Sequence, residues 1–281
     1  MMMKRPGKKL ALLFAFVCTL TLAYGQKGSL FIIGGGERSA SLMQELVNTA
    51  KLQPNDYVVV LPMSSGVPVE SVELITKELS GLIDNHIAAF NFTREEANTR
   101  QSWIDSVRNA RLIYITGGDQ NRFMKVVLRT PLYDALHTSF DNGATIAGTS
   151  AGAAVMSQIM ITGEEKDSTD KSDFRQIIRD NVITSEGMGF ISSAIIDQHF
   201  VKRSRYNRLI SVLTDHPGKT VIGIDEGTAV IVKGKQITVA GESQVVVISS
   251  PKKLKRQGKN KVGFSKARLD LLLAGDHFKL K

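Results

Sequence analysis

Gly148-Thr149-Ser150-Ala151-Gly152 is the stretch on which the fold reading turns. The apolar run 144–147 leads into it, and small residues suited to a helix follow it. A serine in a G-x-S-x-G sequence at such a junction sits on a sharp strand-to-helix turn that lifts its hydroxyl off the sheet edge. The flanking glycines permit the tight backbone path. The N–H groups of the next helical turn then face any negative charge developing beside that hydroxyl. A strand that hands a side chain to a helix in this way belongs to an α/β sheet, which requires strands and helices to alternate along the chain.

On both sides of the serine they do. Strands are predicted at 29–33, 57–61, 86–90, 112–115, 144–147 and 194–196. Helices are predicted at 41–50, 69–79, 131–140 and 201–213, and a single helix from Thr93, with its Thr-x-x-Glu cap, through Ala110. Residues 163–179 are polar and aperiodic and read as a surface excursion. Short, closely spaced strands follow at 221–224, 228–232, 236–240 and 244–248, with a hairpin turn at Lys233-Gly234-Lys235. The expected architecture is one α/β domain over 26–281, with a mostly parallel central sheet flanked by helices and antiparallel strands at its C-terminal edge. In such a sheet the loops after the strands carry function. Gly34-Gly35-Gly36, Ser64-Ser65-Gly66, Gly117 to Gln120, Ser150 and Asp197 to His199 all follow a predicted strand and are expected on one rim.

The first 25 residues read as a signal peptide. Lys4, Arg5, Lys8 and Lys9 precede an apolar run from Leu10 to Leu22, too short to span a bilayer comfortably, and Ala23-Tyr24-Gly25 presents small residues for cleavage. Secretion to the periplasm or the medium is expected, with no membrane attachment after cleavage. Cys18 is the only cysteine and falls in that segment, so neither disulfides nor a cysteine nucleophile enter the reading. Of the net charge of +9, the leader holds +4 and residues 251–281 hold +8, which leaves −3 for residues 26–250. Lys252, Lys253, Lys255, Arg256, Lys259 and Lys261 lack interleaved aromatic residues, so they read as a solvated basic loop and no nucleic-acid partner is expected.

A serine hydroxyl needs a base. Of the five histidines, only His199 follows a strand beside polar and cationic residues. Glu226 is the first candidate for the acid that orients it, with Asp225 second and the cluster Glu164-Glu165-x-Asp167 a more distant choice. The Ala151 N–H and one from Gly117-Gly118, assigned to Gly118, are expected to hold an oxyanion. Gly34-Gly35-Gly36 lacks dinucleotide-binding spacing, because Ser39 stands where the last glycine is required, and no metal-ligand spacing is present. No cofactor is therefore expected. Arg203, Arg205 and Arg208 follow the base, with Arg205 and Arg208 expected on one helix face. Guanidinium groups beside a nucleophile imply a substrate rich in carboxylates, and Asp197 offers one negative group for a substrate cation.

Gly148-Thr149-Ser150-Ala151-Gly152-Ala153, Gly117-Gly118-Asp119-Gln120, Gly223-Ile224-Asp225-Glu226 and above all Asp197-Gln198-His199-Phe200-x-x-Arg203-x-Arg205-x-x-Arg208-Leu209 give the chain its resemblance to the cyanophycinases. These belong to the serine peptidase family that also includes the α-aspartyl dipeptidases called peptidase E. The resemblance implies a flavodoxin-like sheet related to class I glutamine amidotransferases. It implies Ser150 as nucleophile, His199 as base and Glu226 as orienting acid. It also implies cyanophycin binding by Gln120, Asp197, Gln198, Arg203, Arg205 and Arg208, and it favours a homodimer. The implied reaction cuts the poly-aspartate backbone of cyanophycin, releasing β-Asp-Arg dipeptides. An α-aspartyl dipeptidase of the same fold and a non-catalytic binder of anionic peptide polymer are the alternatives.

Overall fold

The computed structural model describes residues 27–166, 175–258 and 260–280. The expected leader with Cys18, and Asp167 and Lys259, lie outside the described residues. The chain runs from β1 (Ser29–Ile33) through α1 (Ala40–Ala50) to β2 (Tyr57–Leu61), and through α2 (Pro68–Ser80) to β3 (His86–Ala89). Helices α3 (Arg94–Thr99) and α4 (Gln101–Asn109) lead to β4 (Leu112–Ile115), and α5 (Gln120–Val127) and α6 (Pro131–Asp141) to β5 (Thr145–Thr149). The short α7 (Ala151–Ala154) is followed by β6 (Ile159–Glu165), β7 (Val182–Glu186), β8 (Ala194–Asp197) and α8 (Tyr206–Asp215). Strands β9 (Thr220–Ile224), β10 (Thr228–Lys233), β11 (Gln236–Gly241) and β12 (Val245–Ser249) come next. The C-terminal segment adds β13 (Lys252–Gln257), β14 (Lys261–Ser265), β15 (Arg268–Leu272) and β16 (His277–Lys279).

The central sheet has the order β16-β11-β10-β1-β5-β4-β2-β3. Strands β1, β5, β4, β2 and β3 are parallel, and β10, β11 and β16 add antiparallel pairs on one side. The parallel strands are apolar along their length because both faces are covered. Ile32, Val59, Ile113 and Ile146 enter one core, while Phe31, Val58, Leu112 and Ala147 enter the other, beneath α1 and α2. Full burial of each valine, leucine, isoleucine or phenylalanine among them contributes about 1.5–3 kcal/mol.

The C-terminal strands do not all extend this sheet. β9 and β12 leave it for a second sheet, ordered β15-β12-β9-β8. One face of that sheet (Ile196, Ile222, Val245, Val247) packs into the first core, and the other (Ile195, Val221, Val246, Ile248) packs against Leu209, Val212 and Leu213 of α8. His199 therefore reaches the central rim from a neighbouring sheet. Two hydrogen bonds join the strand ends: His199 N–H to Gly34 O at 2.7 Å and Phe200 N–H to Ile224 O at 3.2 Å.

Four expected elements change form. The helix over 93–110 breaks at Arg100 (φ −84, ψ 74), whose guanidinium lies 3.2 Å from the Trp103 ring centroid. Residues 201–205 form turns, and α8 starts only at Tyr206, because His199 (φ 47) and Ser204 (φ 50) take left-handed conformations and Asp225 accepts the Lys202 N–H at 2.8 Å. The basic run after Pro251 is a hairpin of β13 and β14 rather than a loop, its backbone groups satisfied by antiparallel pairing while its side chains stay exposed. The polar excursion begins as the paired strand β6, whose partner is β7.

Candidate active site

Ser150 follows β5 with φ 52 and ψ −107, a backbone strained by about 1–3 kcal/mol for a residue with a side chain. The glycines of the motif hold the elbow together by close approach. A Cβ on Gly152 would lie 2.4 Å from Ile115 O, and one on Gly148 would lie 2.3 Å from Gly152 O. The strained turn aims the serine hydroxyl at the imidazole. Ser150 Oγ lies 2.8 Å from His199 Nε2, and His199 Nδ1 lies 2.6 Å from Glu226 Oε1. With Nδ1–H donating to the carboxylate, Nε2 is left as the acceptor facing the serine hydroxyl. Burial pushes the His199 imidazole below its ordinary value, and Arg203 and Arg205 push the same way against the Glu226 hydrogen bond. A neutral imidazole at neutral pH is the form a base requires.

Asp225 is placed elsewhere. It accepts the Lys202 N–H and the Ser243 hydroxyl at 2.7 Å, so it braces the turn that carries Arg203. Burial would raise its carboxyl, but the Lys202 N–H and the Ser243 hydroxyl outweigh this and hold it below the usual carboxylate range. The N–H groups of Gly118 and Ala151 have no acceptor among the described residues; Ala151 follows Ser150 in the chain, and Gly118 lines the same cavity as Ser150.

A cavity of about 550 Å³ opens beside Ser150, lined by Gln120, Glu164, Gln198, Arg203, Arg205 and Arg208 among others. The three arginines differ. Arg208 is buried and grips Asp197 with two hydrogen bonds, Nε to Oδ2 at 2.7 Å and Nη2 to Oδ1. Arg205 donates to the Gln198 carbonyl at 2.6 Å and to the Gln198 side-chain oxygen, and burial pushes it down to about 10, which leaves it charged at neutral pH. Arg203 is exposed and has no ion pair among the described residues. The expectation that Asp197 stands open to a substrate cation is corrected here, because Arg208 occupies both its oxygens. Asp119, the N-cap of α5, and Glu164 at the end of β6 are the carboxylates that line the cavity. Gln120 is also engaged: its amide donates to the carbonyls of Ile161 and Thr162 at 2.9 and 2.7 Å, fixing β6 as the far wall.

Residues 30–240 match Peptidase family S51. The chain belongs to that family. It is 37% identical over 176 residues to a cyanophycinase of Trichormus variabilis, a match covering 60% of this chain. The chain spans little more than half (56%) of that relative's length. A cyanophycinase of Geminocystis herdmanii is 30% identical over 227 residues, which cover 79% of this chain and 80% of the relative. The crystal structure of a peptidase from an acI-B1 Actinobacterium superposes with a TM-score of 0.68 at 22% identity, over 92% of this chain and 98% of that one, and shows the same fold. Membership of S51, with these relatives, supports a serine-type peptidase, a hydrolase.

Sequence reasoning left one part of this S51 site without a purpose: Gly34-Gly35-Gly36. A Cβ on Gly35 would lie 2.3 Å from His199 Cε1, and one on Gly36 would lie 2.7 Å from Glu226 Cβ. Gly35 O also accepts the Gly227 N–H at 3.0 Å. The glycines are the seat of the imidazole–carboxylate pair. Their position after β1 was visible in the sequence, but their partners arrive from residues 199 and 226 through another sheet.

Proposed function

We propose that the protein is an exported, cyanophycinase-like serine exopeptidase that hydrolyses the poly-aspartate backbone of cyanophycin to β-Asp-Arg dipeptides. The observation that carries this is the hydrogen-bonded series Ser150–His199–Glu226 opening on a cavity with cationic and acidic walls. Ser150 Oγ attacks the backbone carbonyl of an aspartyl residue while His199 Nε2 takes its proton. The Gly118 and Ala151 N–H groups hold the oxyanion. The C–N bond breaks, the leaving amine receives the proton from His199, and an acyl-enzyme remains. Water, deprotonated by His199, then cleaves the ester and returns the proton to Ser150.

Arg203 and Arg205 read the substrate carboxylate, and Glu164 and Asp119 receive its guanidinium in place of Asp197. Arg208 and Asp197 act as the buried brace beneath them. Gln120 and Gln198 position β6 and Arg205. The substrate is thus cyanophycin or a β-Asp-Arg-containing peptide. The test is incubation of the chain from Gln26 onward with purified cyanophycin and mass analysis of soluble products. β-Asp-Arg dipeptide from the native chain and none from Ser150→Ala is expected; equal release by both refutes the assignment.

Export rests on the basic and apolar pattern of residues 4–25. It places the enzyme in the periplasm or the medium, as a scavenger of polymer from outside the cytoplasm. A homodimer is supported by Leu269, Leu271 and Leu273, all more than half exposed along the edge strand β15 and its end.

A further inference from the structure

A second cavity, of about 400 Å³, meets Ser150 from another side. Its lining includes both Ser150 and His199, whereas the arginine cavity is lined by Ser150 without the imidazole. In an acyl transfer the protonated imidazole gives its proton to the departing amine, so the leaving group must lie on the imidazole's side of the serine. This assignment of sides rests on the serine-peptidase reading above.

The chemistry of the second cavity contrasts with that of the first. Its one guanidinium, Arg38, is held by Glu78 through Nε to Oε2 at 2.8 Å and Nη2 to Oε1 at 2.7 Å, so the pair presents no net charge. Val67 and Leu74, both more than half exposed, form its rim, and Ile75 lies behind them. Exposed aliphatic side chains at the mouth of a cavity beside a nucleophile are surface that a ligand would cover. The rim is held in shape: Ser65 Oγ accepts the Val67 N–H at 3.0 Å and bonds to Ser71 Oγ at 2.7 Å. At the floor, the Tyr114 and Thr149 hydroxyls are buried, with at most each other as hydrogen-bond partners among the described residues. Burial pushes the Tyr114 phenol up to about 12, so it remains a donor. Two buried hydroxyls that have only each other keep hydrogen-bonding capacity that a ligand or water would complete.

We propose that this cavity is the leaving-side subsite and that it selects a residue with an uncharged aliphatic side chain, seated between Val67 and Leu74 over the Tyr114–Thr149 floor. The enzyme therefore divides its recognition. The acyl side reads charge through Arg203 and Arg205, and the leaving side reads apolar shape. Its substrates extend beyond the uniform polymer to peptides in which an acidic, arginine-bearing unit is followed by an aliphatic residue.

The experiment uses peptides that share one β-Asp-Arg acyl unit, followed through its backbone carbonyl by Leu, Ala, Asp or Lys. The kcat/KM for leucine is expected to exceed those for aspartate and lysine by about tenfold or more, the scale on which a pocket discriminates by apolar fit. In Leu74→Asp, whose site is exposed enough for the fold to survive, the leucine-over-alanine ratio is expected to fall to near one; a thermal melt checks the fold. Equal kcat/KM for all four leaving residues in the native enzyme overturns the subsite assignment while leaving the serine mechanism in place. An unchanged leucine preference in folded Leu74→Asp overturns it too. Cleavage of the alanine peptide by Ser150→Ala, or no cleavage of any peptide by the native enzyme, defeats the underlying peptidase reading and the subsite with it.

Discussion

Gly35→Ala tests whether the glycine run seats the His199 imidazole. Gly35 has φ +114, and its added methyl would lie 2.3, 2.5 and 2.8 Å from Cε1, Nε2 and Nδ1 of His199. Ordinary contact begins near 3.4 Å, so the ring must retreat by about 1 Å. That retreat stretches the 2.8 Å contact between Nε2 and Ser150 Oγ beyond the ~3.2 Å reach needed for proton transfer. A misplacement of about 1 Å at a reacting group costs on the order of 10²-fold in rate. That fall corresponds to about 2.7 kcal/mol of barrier. The backbone strain of an L-residue at this φ adds about 1–3 kcal/mol of destabilisation. For a domain of this size that is roughly 2–12 °C in Tm. The assay is steady-state release of β-Asp-Arg from cyanophycin, with kcat and KM separated and a melt on the same sample. A kcat about 10²-fold lower at nearly unchanged KM, in protein still folded at the assay temperature, is expected. A folded Gly35→Ala with kcat within about threefold of the native value would refute the reasoning, because the ring would then not need that space.

Glu226→Gln removes the carboxylate that fixes the His199 tautomer and is expected to lower kcat by about 10²- to 10⁴-fold without loss of stability, read by the same assay and a melt. The acid limb of the kcat/KM profile should fall below the ordinary histidine value, because burial holds the imidazole neutral to lower pH and activity is lost as pH drops through its lowered pKa. Arg203→Ala removes a positive charge that also depresses that pKa, so the limb should move to higher pH; a limb that stays or moves lower counts against the proximity of Arg203 to the base. Asp197→Ala leaves the Arg208 guanidinium buried and unpaired and should cost about 3–5 kcal/mol in denaturant unfolding, much of it recovered in Asp197→Ala/Arg208→Met. A raised KM with native stability would instead restore Asp197 as a substrate contact.

The sequence determined the α/β alternation and the elbow by itself, because local forces decide both. Apolar runs of strand length, such as 29–33 and 112–115, become strands wherever they lie, and the small residues around Ser150 permit only a sharp turn. It also singled out Ser150 and His199, and left Glu226 and Asp225 as first and second candidates for the acid, since each follows a strand and bears the needed group. What the tertiary structure alone decided are pairings between segments far apart in sequence. The choice of Glu226 over Asp225 depends on a turn at Lys202 that captures the aspartate first. The roles of the three arginines diverge because Arg208 meets Asp197 inside the protein while Arg203 stays at the surface. Helical periodicity placed 201–205 wrongly for the same reason: a non-local acceptor, the Asp225 carboxylate, overrode local preference. The glycine run took its purpose only from the side chains of residues 199 and 226. A strand pattern encodes which residues face a core, but the register at which two sheets meet is fixed by packing across the molecule.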